Sequence, residues 1–163
     1  MYFQHLQKTQ VGMVKKWLAQ DYVAKFWHGQ GLQNTLEAID RFVDGKEKLF
    51  TLWIAYKDEI PFAFLMTSNI DPKESHFCNY CEEEAISLDL LIGDQHFLGK
   101  GLAAPMIQKF VKQFDVRNVF IDPGVENKKA IHVYEKAGFK KLEEFIPEWD
   151  PSGRCVLMQL QKE

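Results

Sequence analysis

The feature that most limits how this chain folds is a glycine-bearing junction between two apolar segments. His96-Phe97-Leu98-Gly99-Lys100-Gly101-Leu102 follows the short apolar run 86–92 and opens the stretch 102–114. In that stretch Ala103, Met106, Ile107, Phe110, Val111 and Phe114 recur at helical spacing. The order is therefore strand, loop, helix. Glycines let successive backbone N–H groups turn toward one point, and a helix N-terminus adds unpaired donors and a positive dipole end. Such a loop suits a pyrophosphate, with Lys100 adding charge. Read alone it is equally a tight turn that binds nothing. It is not a P-loop, since GxxxxGK[ST] is absent, and it is not a GxGxxG dinucleotide loop. Pro105 cannot donate to the carbonyl near Gly101, so either the helix starts later than residue 102 or its first turn is distorted.

The remaining pattern predicts a strand at 2–6 and a helix over 9–19, with Thr9 as N-cap and Val11, Val14 and Leu18 on one face. Gly29-Gln30-Gly31 breaks the chain. A helix carrying Leu36, Ile39 and Val43 follows and ends at Gly45. Strands are expected at 49–56 and 60–70 about a turn at Lys57-Asp58-Glu59. Residues 72–84 are polar and irregular. A strand over 116–121 closes on Asp122-Pro123-Gly124. Asn127 is the N-cap of a helix to residue 137, with Ala130, Val133, Tyr134 and Ala137 on one face and Gly138 as its C′ residue. Strands at 139–146 and 155–160 close the chain. With no repeat or linker, residues 1–163 read as one domain of α/β class, a central mixed sheet of about six to seven strands with helices on both faces.

Composition narrows the function. At 163 residues and a net charge of −3, the chain lacks the excess of Lys and Arg that nucleic acid demands, and it tolerates a cationic partner. No apolar run approaches the ~20 residues of a membrane span, and the N-terminus is unlike a signal peptide, so a cytoplasmic protein is expected. Cys78, Cys81 and Cys155 read as reduced thiols. Cys78 and Cys81 form a CxxC, but a structural metal site needs a second such half, so no metal is expected.

The run Asn127-Lys128-Lys129-Ala130-Ile131-His132-Val133-Tyr134-Glu135-Lys136-Ala137-Gly138-Phe139, placed after the strand, glycine loop, helix and strand, resembles the GCN5-related N-acetyltransferase superfamily. The family loop signature is Q/R-x-x-G-x-G/A, and His96 stands here where Gln or Arg is usual. A closer resemblance is to the aminoglycoside 6′-N-acetyltransferases. It rests on Leu98-Gly99-Lys100-Gly101-Leu102, Asp89 before it, Asp122-Pro123, and Tyr134-Glu135-Lys136-Ala137-Gly138-Phe139. Trp17-Leu18 and Phe26-Trp27-His28-Gly29 resemble a segment that helps form the acceptor site. The resemblance implies acetyl-coenzyme A as cofactor and a small-molecule amine as acceptor, a role in antibiotic resistance, and a monomer or weak homodimer. It also implies that Phe97, Leu98, Gly99, Lys100, Gly101 and Leu102 hold the pyrophosphate. Asn127, Ala130 and Tyr134 would lie along the pantetheine arm, and backbone of Leu91 and Ile92 would pair with it. Tyr134 would protonate the departing thiolate; otherwise it is a packed core tyrosine.

Asp89 stands out from the residues alone. Ile86, Leu88, Leu90 and Ile92 form one face of its strand, and Ser87, Asp89 and Leu91 the other. A carboxylate in a central strand is costly unless it is paired or reaches a cavity. It is either a bonded structural acid or the group that orients the acceptor amine and takes its proton. Asp122, in a turn it could merely cap, is tipped by the resemblance toward a substrate ammonium, as is Asp150. Trp27 stacks on a sugar or amine or packs in the core. Glu82-Glu83-Glu84 is a solvated loop or one wall of a cation site. The alternatives to an aminoglycoside acceptor are hydroxylysine, a polyamine or a protein N-terminus. A coenzyme A-binding module without catalysis is the reading from another class.

Overall fold

The computed structural model describes residues 1–73, 77 and 79–163. Cys78 of the CxxC pair lies outside them. The elements run β1 (Tyr2–His5), α1 (Val11–Leu18), α2 (Asp21–Ala24), α3 (Gly29–Val43), β2 (Phe50–Lys57), β3 (Ile60–Ile70) and β4 (Ala85–Ile92). They continue with α4 (Ala103–Val111), β5 (Asn118–Ile121), α5 (Lys128–Ala137), β6 (Lys140–Phe145) and β7 (Cys155–Gln161). One seven-stranded mixed sheet has the order β1-β2-β3-β4-β5-β7-β6. Only β4 and β5 pair in parallel; the other neighbours are antiparallel. Among the described residues no helix is long and apolar enough to cross a membrane.

Alternation along each strand separates two cores. Helices α4 and α5 cover one face with Met106, Ile107, Phe110, Ile131 and Ala137 against Phe62, Leu65, Ile86, Leu88 and Val119. Helices α1 to α3 cover the other with Val14, Trp17, Leu18, Ala38 and Ile39 against Leu52, Ile54, Phe64, Met66 and Leu91. Strand β4 obeys its sequence pattern, with Ile86, Leu88, Leu90 and Ile92 under α4 and α5 and Leu91 on the opposite face. The β2–β3 turn uses two left-handed residues, Asp58 (φ 51°) and Glu59 (φ 66°), the twist a two-residue hairpin demands.

The N-terminal half departs from the sequence reading. Thr9 does not cap α1; it lies in a 3₁₀ turn, Lys8–Gln10, whose entry is closed by the Gln7 amide donating to Gln10 Oε1 at 3.0 Å. Gly29-Gln30-Gly31 does not break a helix but begins α3, with Gly29 at φ 60°. The short helix α2 was not expected at all. In the C-terminal half Asn127 does cap α5, its Oδ1 accepting from the Ala130 amide at 3.3 Å, and Gly138 ends it at φ 109°.

Candidate active site

The glycine loop joins β4 to α4. Gly99 and Gly101 both hold φ 69°, a left-handed conformation that a side chain resists. A Cβ added at either would meet nothing within 4 Å, so the requirement is conformational and the space beside the loop is open. The Phe97 ring, 5.0 Å from that of Phe62, pins the loop to the core. Asp94 accepts from the His96 amide at 2.9 Å and shapes the turn, while the His96 side chain is 93% exposed. Helix α4 starts at Ala103 without a side-chain cap, and its first bond runs from Met106 N to Leu102 O at 3.0 Å. The Ala103 and Ala104 amides are thus without helical acceptors. Pro105 falls in the first turn, where its missing N–H costs nothing, so the helix starts one residue late and is undistorted.

Beside this loop the sheet is split. Strands β4 and β5 pair at Ala85↔Asn118, Ile86↔Val119 and Ser87↔Phe120, after which β4 continues through 88–92 paired with β3 only. The Gly93 amide donates to Phe62 O at 2.8 Å, which sets the antiparallel alternation: Asp89 and Leu91 turn their backbone groups to β3. Leu90 and Ile92 turn theirs into the gap. Of the two residues whose backbone was expected along the arm, Ile92 faces the gap and Leu91 faces β3, and Leu90 is the other residue open to the gap. Gly93 is needed at the end of β4 because a side chain there would overlap the Trp17 ring.

Acidic groups converge on the same gap. Asp89 follows Ser87 on one sheet face. Asp122 follows Phe120 just past β5, and Cys155 opens β7 on that face too, by the Phe120↔Gln159 register. Burial pushes the Asp89 carboxyl up to about 6. Asp122 rises well above the ordinary carboxylate range, through burial and then the Asp89 charge. Burial also lifts the Cys155 thiol to about 12, helped by Asp122, Asp150 and Asp89. Tyr134 approaches from the opposite face on α5, buried at 7% exposure. Its phenol is raised by burial and then by Asp89 and Asp122. A tyrosine on one face and carboxyls on the other can influence each other this way because the sheet is open between them.

The surrounding walls come from distant segments. Ser152 Oγ donates to Asp150 Oδ1 at 2.8 Å in the loop before β7, and a side chain on Gly153 would overlap the Asp150 carboxylate. Trp149 of that loop lies over Gly31 in α3, where an added Cβ would sit 3.2 Å from its Cδ1. Trp27 is half-buried, donates to Thr35 Oγ1 at 3.0 Å and lies 6.2 Å from the Phe64 ring, so it packs at the edge of the core. Glu82, Glu83 and Glu84 are exposed just before β4, whose first residue lies roughly 13 Å from Asp89 by strand rise, and Glu83 pairs with Arg117 at 3.8 Å. They form a solvated end, not a wall of this site. Sequence reasoning missed Leu90, Gly93, Cys155, Trp149 and Tyr22, whose positions depend on register and on loops that fold back.

This loop, split sheet and helix define an acyl-coenzyme A-dependent transferase, and the chain belongs to the family described as "Acetyltransferase (GNAT) domain", whose model matches residues 7–146. It is an acetyl-coenzyme A-dependent N-acetyltransferase, as the glycine loop and the Asn127-to-Phe139 stretch imply. Among particular relatives it is 39% identical to the aminoglycoside N(6′)acetyltransferase of Legionella pneumophila subsp. pneumophila str. Philadelphia 1. That crystal structure matches with a TM-score of 0.89 over 98% of this chain and 91% of the other. The aminoglycoside N(6′)-acetyltransferase type 1 of Klebsiella pneumoniae is 26% identical over 145 residues, covering 80% of this chain and 69% of that protein. The aminoglycoside acetyltransferase AAC(6′)-Ib, solved with coenzyme A and kanamycin, shares the fold at 22% identity, TM-score 0.78, over 98% of this chain and 93% of that one.

Proposed function

We propose that this protein acetylates a primary amine of a small polycationic acceptor, and that the acceptor is an aminoglycoside modified at its 6′-amine. The observation that carries the reading is the convergence of Asp89, Asp122 and Asp150 on one side of the β4–β5 gap, with Tyr134 on the other. Half-buried carboxyls, of which Asp89 raises the pKa of Asp122, are costly alone and favourable once an ammonium lies between them. The similarity to the Legionella and Klebsiella enzymes supports the same acceptor.

In this reading residues 1–163 act as one catalytic domain. The amides of residues 97–102 and the start of α4 hold the diphosphate. Backbone of Leu90 and Ile92 pairs with the arm like an added strand, and an N–H there polarises the thioester carbonyl. Asn127 and Ala130 flank the arm. Acetyl-coenzyme A, when bound, supplies an activated acetyl thioester. Asp122 and Asp150 hold acceptor ammonium groups, and Trp27 gives them an aromatic wall. Asp89 takes the proton that the reacting ammonium must lose. Tyr134 stays protonated at neutral pH and gives its proton to the departing sulfur. The reaction belongs in the cytoplasm, and expression in a sensitive bacterium confers resistance.

A thiol-release assay with acetyl-coenzyme A tests the acceptor directly. Kanamycin and related aminoglycosides are expected to turn over far faster than spermidine or hydroxylysine. Turnover of the latter alone would overturn the acceptor assignment and leave the transferase reading intact.

A further inference from the structure

The carbonyl of Ile92 is the last acceptor on the open edge of β4, and it already has a partner. Tyr22, on the short helix α2, places its hydroxyl 2.7 Å from Ile92 O and 3.2 Å from Gly93 O. Gln20 holds this arrangement: its Nε2 donates to Gly93 O at 2.9 Å and to the Tyr22 hydroxyl at 3.2 Å. Its Oε1 accepts from Gln95 Nε2 at 2.7 Å, at the entry to the glycine loop. The Tyr22 ring itself is 37% exposed, unlike Trp17 beside it. A phenol has one proton to donate, and two carbonyls compete for it.

We propose that Tyr22 is a placeholder for the coenzyme arm. Its hydroxyl satisfies the Ile92 carbonyl. When an amide N–H of the pantetheine arm takes that carbonyl, the Tyr22 O–H turns to donate to Gly93 O alone, and the ring and α2 shift with it. Because α2 leads into the Trp27 wall, the acceptor side is set only once the arm is seated. Tyr22 is thus a positioning residue that touches the edge the arm must use. The inference rests on the pairing of Leu90 and Ile92 with the arm proposed above.

Calorimetric titration of Tyr22→Phe with two probes tests it. Coenzyme A carries the arm; adenosine 3′,5′-diphosphate lacks it. Removing a competing hydroxyl is expected to tighten coenzyme A binding about two- to tenfold, the range of one net hydrogen bond, and to leave the diphosphate unchanged. In kinetics the KM for the acceptor rises while kcat holds, since the wall is no longer tied to the arm. Unchanged or weaker coenzyme A binding by Tyr22→Phe, or equal tightening for both probes, overturns the placeholder. Failure of the unaltered protein to bind coenzyme A overturns the arm-pairing reading and the placeholder together. The phenyl ring keeps its packing, and a melting temperature equal to the parent's checks that the variant is folded.

Discussion

Asp89 carries two opposed effects in one side chain. Its folded pKa of about 6 lies above the ordinary carboxylate value because burial disfavours the charge. The native state therefore binds more protons than the unfolded chain between those values, and stability falls as pH rises from about 4 through about 6. Asp89→Asn is expected to melt higher than the parent at pH 7.5, by on the order of 2 kcal/mol, with the gap closing near pH 4. Differential scanning calorimetry at both pH values checks this. The same substitution should remove the acidic limb near pH 6 from kcat/KM, because it removes the proposed base. Tyr134→Phe should lower kcat roughly 10²-fold or more, within the range for a lost general acid, and leave coenzyme A affinity within about twofold. Asp89 and Tyr134 were legible in the sequence, one as an acid out of place in an apolar strand and the other within a family motif. Cys155 was not, because only the β5–β7 register brings it beside the acids.

At the scale of elements, the C-terminal half was readable and the N-terminal half less so. Strand β4, helix α5 and their caps follow from alternation, Asn127 and Gly138, where the local signal and the tertiary need agree. The opening of α3 misled because Gly29 and Gly31 look like breakers, yet Gly29 supplies a left-handed first residue and Gly31 makes room for Trp149. The direction of the Leu91 backbone, toward β3, was not legible for a different reason: side-chain pattern fixes which face a residue occupies, not which edge its backbone serves. The glycine loop gives the element-scale prediction. Gly101→Ala forces a side chain into φ 69° with no clash to relieve, costing about 1–2 kcal/mol as local strain. Coenzyme A affinity by calorimetry should fall about tenfold as the loop relaxes away from that conformation, while far-ultraviolet circular dichroism stays the same.

At the scale of the whole molecule, a chain of net charge −3 places two carboxyls of raised pKa, Asp89 and Asp122, beside one opening. Binding a polycation there should lower the raised carboxyl pKa values and release protons near pH 6. Calorimetry of acceptor binding in buffers of differing ionisation enthalpy should show that release, and Asp89→Asn should reduce it. Because the attraction is partly long-range, kcat/KM for the acceptor should drop as ionic strength rises.

The divergence of β4 from β5 makes this fold an unfinished weave. In the proposed reading the coenzyme arm completes it, which would make the cofactor a structural part as well as a reactant. Amide protons of Leu90 and Ile92, which face the gap, should exchange quickly in the bare protein and slow down once coenzyme is laid in, and the heat tolerance of the protein should track the coenzyme concentration around it. Each turnover would then loosen the seam just enough for the spent carrier to leave.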